Sequence, residues 1–263
     1  MNIFYRPFLS GRMIFFPGMI ELKNILITGA SGTIGRAIAR KLAGSGNSLY
    51  LHFHQDRKSA AELARGLEKA YPDQVFSCVQ ADLSEPDGPD KLLRQIRLPV
   101  TGVVYNCGKS EVGLFQDTPE PVVRELVQLQ LTSPFRLIQS LIQPMIREQD
   151  GRIVFITSIW GLTGASTEVL YSMVKGGQNT FVKALAKEVA PSHITVNAVA
   201  PGAVNTPMMK LFSESDQEEV RSEIPAGRFA RPEEIAALVQ FLLGPDAGYL
   251  NGQVISENGA WYC

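Results

Sequence analysis

The chain has only three cysteines in 263 residues, Cys78, Cys107 and Cys263, odd in number and far apart. They make neither a zinc-ligand spacing nor a disulfide framework, which points to a reducing cytoplasm. No charge of one sign dominates: 25 basic residues stand against 26 acidic ones, leaving no basic field to hold nucleic acid. No uninterrupted apolar run is long enough for a membrane-spanning helix, so no membrane partner is expected. The nearest approach, Met1 to Gly18, is apolar and aromatic but is cut by Arg6, Pro7, Arg12 and Pro17. No small-residue cleavage site follows a clean apolar core there. Residues 1–18 are read as an N-terminal extension, disordered or an over-extended start, rather than as a membrane-touching or oligomer-contacting arm; the domain then spans 19–263. Internal repeats, low-complexity tracts and metal-ligand clusters are absent as well.

What is present is a chain long enough to bury a large core as one α/β domain, without a metal or disulfide staple. Seven short apolar runs read as strands: 23–28, 48–54, 74–81, 100–106, 151–157, 194–200 and 252–256. Rich in β-branched and aromatic residues and interleaved with helical patterns, they read as buried parallel strands. The expected fold is a Rossmann-like, doubly wound parallel sheet of about seven strands with helices on both faces. Residues 119–149 read as a long helical region whose regularity Pro134 and Pro144 break, and 171–189 as a helix ended by Pro191. Pro232 opens a later helix, and 207–227, with Met208, Met209, Leu211 and Phe212, read as a mobile helical lid.

Two stretches carry chemistry. The turn Gly29-Ala-Ser31-Gly32-Thr33-Ile34-Gly35 follows the first strand and opens a helix, the setting in which a glycine turn binds a dinucleotide pyrophosphate. Ser158 falls where the fifth strand ends, and Tyr171 and Lys175 follow four residues apart on one helix face. A hydroxyl, a phenol and an ammonium at the carboxyl edge of an open sheet make a proton-donating apparatus.

With Ser158 thirteen residues before Tyr171-Ser-Met-Val-Lys175, the chain resembles the short-chain dehydrogenases/reductases, in motifs running from Thr28 to Gly259. The resemblance implies an oxidoreductase in which Tyr171 gives a proton to a ketone, Ser158 polarises it, and Lys175 binds the nicotinamide ribose. The Lys175 ammonium, with a positive nicotinamide, is expected to lower the Tyr171 pKa. The resemblance further places Asp82 and Leu83 at the adenine, and Asn106 and Gly108 along the cofactor. Pro201, Gly202, Val204 and Thr206 fall beside the nicotinamide. Phe53 occupies the place where NAD-preferring relatives carry an acid. With His54, Arg57 and Lys58 following, NADPH is expected over NAD, although Asp56 lies close by.

The chain also departs from the family. Thr33 replaces the middle glycine, so Gly29, Gly32 and Gly35 follow the spacing of the longer, epimerase-like branch; the length favours the short single-domain branch. Tyr105-Asn106-Cys107-Gly108 replaces Asn-Asn-Ala-Gly, and Gln130 stands where relatives carry a proton-relay Asn.

Around Ser158-Ile-Trp160 and Glu168, and again at Trp261-Tyr262-Cys263, the residues resemble a subgroup, the elongation factor P aminopentanone reductases, which reduce a ketone on a modified lysine. The broader resemblance is to 3-oxoacyl-[acyl-carrier-protein] reductases. Both imply a ketone carried on a protein and a homodimer or homotetramer. An amine-bearing substrate suits an acid such as Glu168; a carrier protein would need basic residues such as Arg124 and Arg136. A non-catalytic NADP-binding regulator, the reading of another class, would be expected to lack Tyr171 or Lys175.

Overall fold

The computed structural model describes residues 23–207 and 213–263. Seven strands form one wholly parallel sheet: β1 (Asn24–Ile27), β2 (Ser48–Phe53), β3 (Phe76–Gln80), β4 (Gly102–Tyr105), β5 (Gly151–Ile156), β6 (Ile194–Pro201) and β7 (Val254–Glu257). Their order across the sheet is β3-β2-β1-β4-β5-β6-β7. All seven expected strands are present.

The strands read as unbroken apolar runs because both faces of the sheet are covered. On one face, Ile25, Ile27, Leu49 and Leu51 pack against helices α1 (Thr33–Ala43), α2 (Arg57–Ala70) and α9 (Pro232–Leu243). On the other, Leu26, Val103, Tyr105, Ile153 and Phe155 meet α3 (Gly88–Leu93), α5 (Ser133–Glu148) and α7 (Val169–Val189). The strand order reverses between β1 and β4. At such a switch point the loops leave the carboxyl edge in opposite directions and open a crevice.

The expected long helix over 119–149 is divided, though not as its prolines alone suggest. Helix α4 (Glu120–Val127) passes through a π turn, Gln128–Thr132, into α5, while Pro144 is accommodated inside α5. Pro134 has no N–H to offer the carbonyls of Leu129 or Gln130. Both take side-chain donors instead: the Tyr105 hydroxyl donates to Leu129, and the Gln178 amide donates to Gln130 at 2.7 Å. Tyr105 also stacks on Phe155, which accounts for a large aromatic residue before Asn106.

Two short helices complete the described chain: α6 (Trp160–Thr163) and α8 (Glu214–Glu223), the latter capped by Ser213 and Asp216. The expected lid is helical over α8, whereas Met208, Met209, Leu211 and Phe212 lie outside the described residues, as does the extension 1–18. Among the described residues no helix is long and apolar enough to cross a membrane, and no cluster of three metal-ligating side chains occurs.

Candidate active site

The glycine turn is built by contacts that exclude side chains. Gly29 sits at φ +66°, and a Cβ on Gly35 would lie 2.2 Å from the Gly29 carbonyl oxygen, so α1 starts pressed against the turn. The α1 N-cap is Gly32, with no side-chain cap and no acid in the first turn. The first N–H groups of α1 therefore remain available to an anion. Ser31, Thr33 and Ile34 flank this opening. The site thus fits a dinucleotide pyrophosphate: there is a cradle that a Cβ would fill and a helix start that nothing caps.

Three residues tie the turn to its neighbours. The Thr28 hydroxyl accepts from the N–H groups of Asn106 and Cys107 at 2.9 and 3.2 Å. The Asn106 amide donates to the carbonyls of Thr28 and Gly29. The Gly29 N–H donates to His52 Nδ1 at 3.1 Å, while His52 Nε2 lies 3.1 Å from the Ala81 carbonyl. With Nδ1 accepting, the ring proton must sit on Nε2 and be donated to Ala81. Burial pushes the His52 pKa down to about 4, so the ring is neutral. Neither His52 nor Thr28 was singled out in the sequence, where a histidine inside a strand has no local signal.

At the end of β2 the Phe53 side chain is buried. His54 Nε2 pairs with Asp82 at 3.2 Å, and Asp82 also accepts from the Ser84 N–H at 2.9 Å. Leu83 is buried, and its carbonyl accepts from the Ser133 hydroxyl. Asp56 spends its carboxylate on capping α2 through the Ser59 N–H at 2.9 Å. Arg57 donates to Gln80. Beyond the second strand, His54 is therefore paired with Asp82, Arg57 meets a neutral amide, and Asp56 is engaged at the helix cap.

Ser158, Tyr171 and Lys175 come together where β5 meets α7. Lys175 Nζ lies 5.6 Å from the centre of the Tyr171 ring and donates to the Ile156 carbonyl at 3.0 Å and to Gln178 Oε1 at 3.2 Å. Among the described residues no third acceptor reaches the ammonium, so one of its three protons is left for a ligand. Burial pushes the Lys175 pKa down to about 8. Burial also pushes the Tyr171 phenol up to about 12, opposed by a hydrogen bond with Ser158 and assisted by the Glu168 carboxylate. Here desolvation outweighs the Ser158 hydrogen bond, so the phenol moves upward, opposite to the direction expected with a positive nicotinamide beside it. At neutral pH the phenol is protonated, the form a proton donor needs.

Gln130 lies on the π turn, fully buried. Its Nε2 donates to the Lys109 carbonyl at 2.8 Å, and its Oε1 has no partner among the described residues. A Cβ on Gly108 would come within 2.9 Å of that oxygen and 3.3 Å of Lys175 Nζ, so Gly108 keeps the space between them open. Cys107 lies beside this group with its thiol pushed up by burial, which leaves it protonated. After β6, Pro201 accepts from the Ile159 N–H at 3.1 Å, Gly202 donates to Glu257, and Val204 bridges to Ala230, with Thr206 following. Trp160 packs edge-on against Trp261 and Tyr262, with ring centres 5.3 and 5.5 Å apart. The two segments singled out in the sequence are therefore one aromatic cluster.

The chain also matches known proteins over most of its length. Residues 23–217 match the family model described as short chain dehydrogenase. The chain is 51% identical over 241 residues to the uncharacterized oxidoreductase YmfI of Bacillus subtilis strain 168, covering 92% of this chain and 99% of that protein. It is 36% identical over 246 residues to the 3-oxoacyl-[acyl-carrier-protein] reductase FabG of Aquifex aeolicus strain VF5, covering 92% and 98%. The angucycline C-6 ketoreductase LanV, solved with bound NADP, superposes with a TM-score of 0.83 at 27% identity, covering 90% of this chain and 94% of that one. A seven-stranded parallel sheet, a glycine turn at its switch point and a family match over most of the chain lead to one conclusion: this protein is an oxidoreductase of the short-chain dehydrogenase family.

Proposed function

We propose that the protein is an NADPH-dependent reductase of a ketone carried on another protein, and that this ketone is the aminopentanone group on a modified lysine of elongation factor P. The observation that carries the reductase reading is the grouping of a protonated phenol, a hydroxyl and a buried ammonium: Ser158 near enough to Tyr171 to act on its pKa, and Lys175 Nζ 5.6 Å from the centre of the Tyr171 ring. The reduced nicotinamide, when bound, supplies the hydride. Tyr171 donates its proton to the ketone oxygen, and Ser158 hydrogen-bonds that oxygen as negative charge develops on it. Lys175 would direct its remaining N–H to the cofactor ribose. Gly29, Ser31, Gly32, Thr33, Ile34 and Gly35 would hold the pyrophosphate. Asp82 and Leu83 would serve the adenine, Asn106 and Gly108 the body of the cofactor, and Pro201, Gly202, Val204 and Thr206 the nicotinamide. NADPH is favoured over NAD by Arg57, whose hydrogen bond goes to the neutral Gln80 amide, by the capping engagement of Asp56, and by the NADP bound to LanV, whereas His54 is paired with Asp82.

Two observations favour the elongation factor over an acyl carrier protein. Glu168, three residues before Tyr171 at the start of α7, is held by the Ser110 hydroxyl. That carboxylate suits a substrate bearing an amine. Arg124 and Arg136, the cations that could meet an acidic carrier, are engaged by Glu120 and Asp90. The FabG likeness keeps 3-oxoacyl-[acyl-carrier-protein] reduction as the second reading. Exposed apolar side chains on α5 and α7, Phe135, Val169 and Met173, suit burial in a homo-oligomer.

The test is NADPH oxidation with aminopentanone-bearing elongation factor P and acetoacetyl-carrier protein offered in parallel. Turnover of the modified factor alone supports the proposal. Turnover of the acyl substrate alone moves the protein to the second reading. Tight NADPH binding with neither substrate turned over contradicts both.

A further inference from the structure

Gln178 is buried one turn beyond Lys175 on α7, and the chemistry above leaves it unused. Its two contacts fix the orientation of its amide. Only the nitrogen can donate to the Gln130 carbonyl, at 2.7 Å, and only the oxygen can accept from the Lys175 ammonium, at 3.2 Å. The amide thereby spans the π turn and the lysine. The Gln130 carbonyl it uses is one that Pro134 cannot satisfy, so the kink in the helix and the placement of the ammonium share one side chain.

We propose that Gln178 is a positioning residue for Lys175: its side-chain amide, anchored on the opened carbonyl of Gln130, holds the ammonium against the Ile156 carbonyl and beneath Tyr171. A mere space-filler at this point would be apolar, since a buried amide left unpaired is costly. Both ends of this one are paired. The arrangement also divides the labour between the two glutamines. Gln178 takes the main-chain oxygen of Gln130, while the Gln130 side chain holds the Lys109 carbonyl and turns its unpartnered Oε1 toward the space that Gly108 keeps open.

The consequence can be read on Lys175 itself. The groups facing its ammonium are the Tyr171 phenol on α7, the Cys107 thiol after β4, the Ile156 carbonyl on β5 and the neutral amides of Gln130 and Gln178. Of these, the Gln178 oxygen and the Ile156 carbonyl accept its protons. Gln178→Leu removes an acceptor from a buried cation and lowers the Lys175 pKa. Gln178→Glu supplies an opposite charge and raises it.

The experiment is an NMR titration of the full chain carrying isotopically labelled lysine, with the Lys175 signal identified by its loss in Lys175→Met. The expected Lys175 midpoint falls by about one pH unit in Gln178→Leu and rises by about one or more in Gln178→Glu. Should the leucine variant fail to fold, with the Gln130 carbonyl left bare, the glutamate variant decides alone: a rise supports the proposal. A midpoint that Gln178→Glu leaves in place, or that both variants move in the same direction, overturns it. The role rests on the reductase reading, and the two fail separately. If the midpoints move as expected but the wild type binds NADPH and oxidises it with none of ethyl acetoacetate, acetoacetyl-carrier protein or aminopentanone-bearing elongation factor P, the reductase reading falls while the positioning of Lys175 stands.

Discussion

The Gly29 N–H donates to His52 Nδ1 at 3.1 Å, so the first glycine of the cofactor turn is held by a neutral histidine on the neighbouring strand. Protonation of that nitrogen would put two donors face to face. With the pKa pushed from 6.5 down to about 4 by burial, the native state binds fewer protons than the unfolded chain between those values. The His52 contribution to stability is therefore complete above about pH 6.5 and is lost as the pH falls toward 4, by about 3 kcal/mol in all. Denaturant melts of His52→Asn between pH 4 and 7 should show a shallower loss of stability on acidification than the wild type. Parallel slopes in the two proteins would remove His52 from this role.

A methyl group at Gly35 meets main chain rather than a side chain that can move, since its Cβ would lie 2.2 Å from the Gly29 oxygen. Gly35→Ala should lower stability by about 1–3 kcal/mol. It should also weaken NADPH binding at least ~10-fold, because the N–H groups at the start of α1 are displaced with the turn. Calorimetric titration with NADPH reads the second effect. Unchanged affinity would mean that the turn does not carry the pyrophosphate.

Glu168 gives a test of substrate chemistry. Its carboxylate is held by Ser110 and is close enough to Tyr171 to raise the phenol's pKa. Glu168→Gln should raise KM for an amine-bearing ketone about 10-fold and leave KM for an amine-free ketone of the same length unchanged, as expected for loss of one charge-assisted contact. Equal effects on the two ketones would remove Glu168 from recognition of the amine.

The strands and the grouping of Tyr171 with Lys175 were legible in the sequence, for physical reasons. A strand buried on both faces must be a short apolar run, as 151–157 is, and Tyr171 and Lys175 announce themselves by spacing along one helix. What the sequence concealed depends on distant partners. His52 meets a carbonyl 29 residues away, and Gln178 meets one 48 residues away. Pro134 announced a break, but not that Tyr105 and Gln178 would take up the two carbonyls it leaves open. The rise in the Tyr171 pKa was hidden for a related reason. The sequence supplies the spacing of Ser158, Tyr171 and Lys175, whereas only the fold supplies the burial that raises the phenol.

The central claim is that Tyr171 delivers the proton to a ketone. The measurement that tests it most directly is single-turnover NADPH oxidation by wild type and Tyr171→Phe, with NADPH affinity determined on the same samples. The account predicts unchanged NADPH affinity and a rate lower by about 10²–10⁴-fold in Tyr171→Phe, the loss expected when a general acid is removed. A variant that binds NADPH and oxidises it at the wild-type rate would contradict the account.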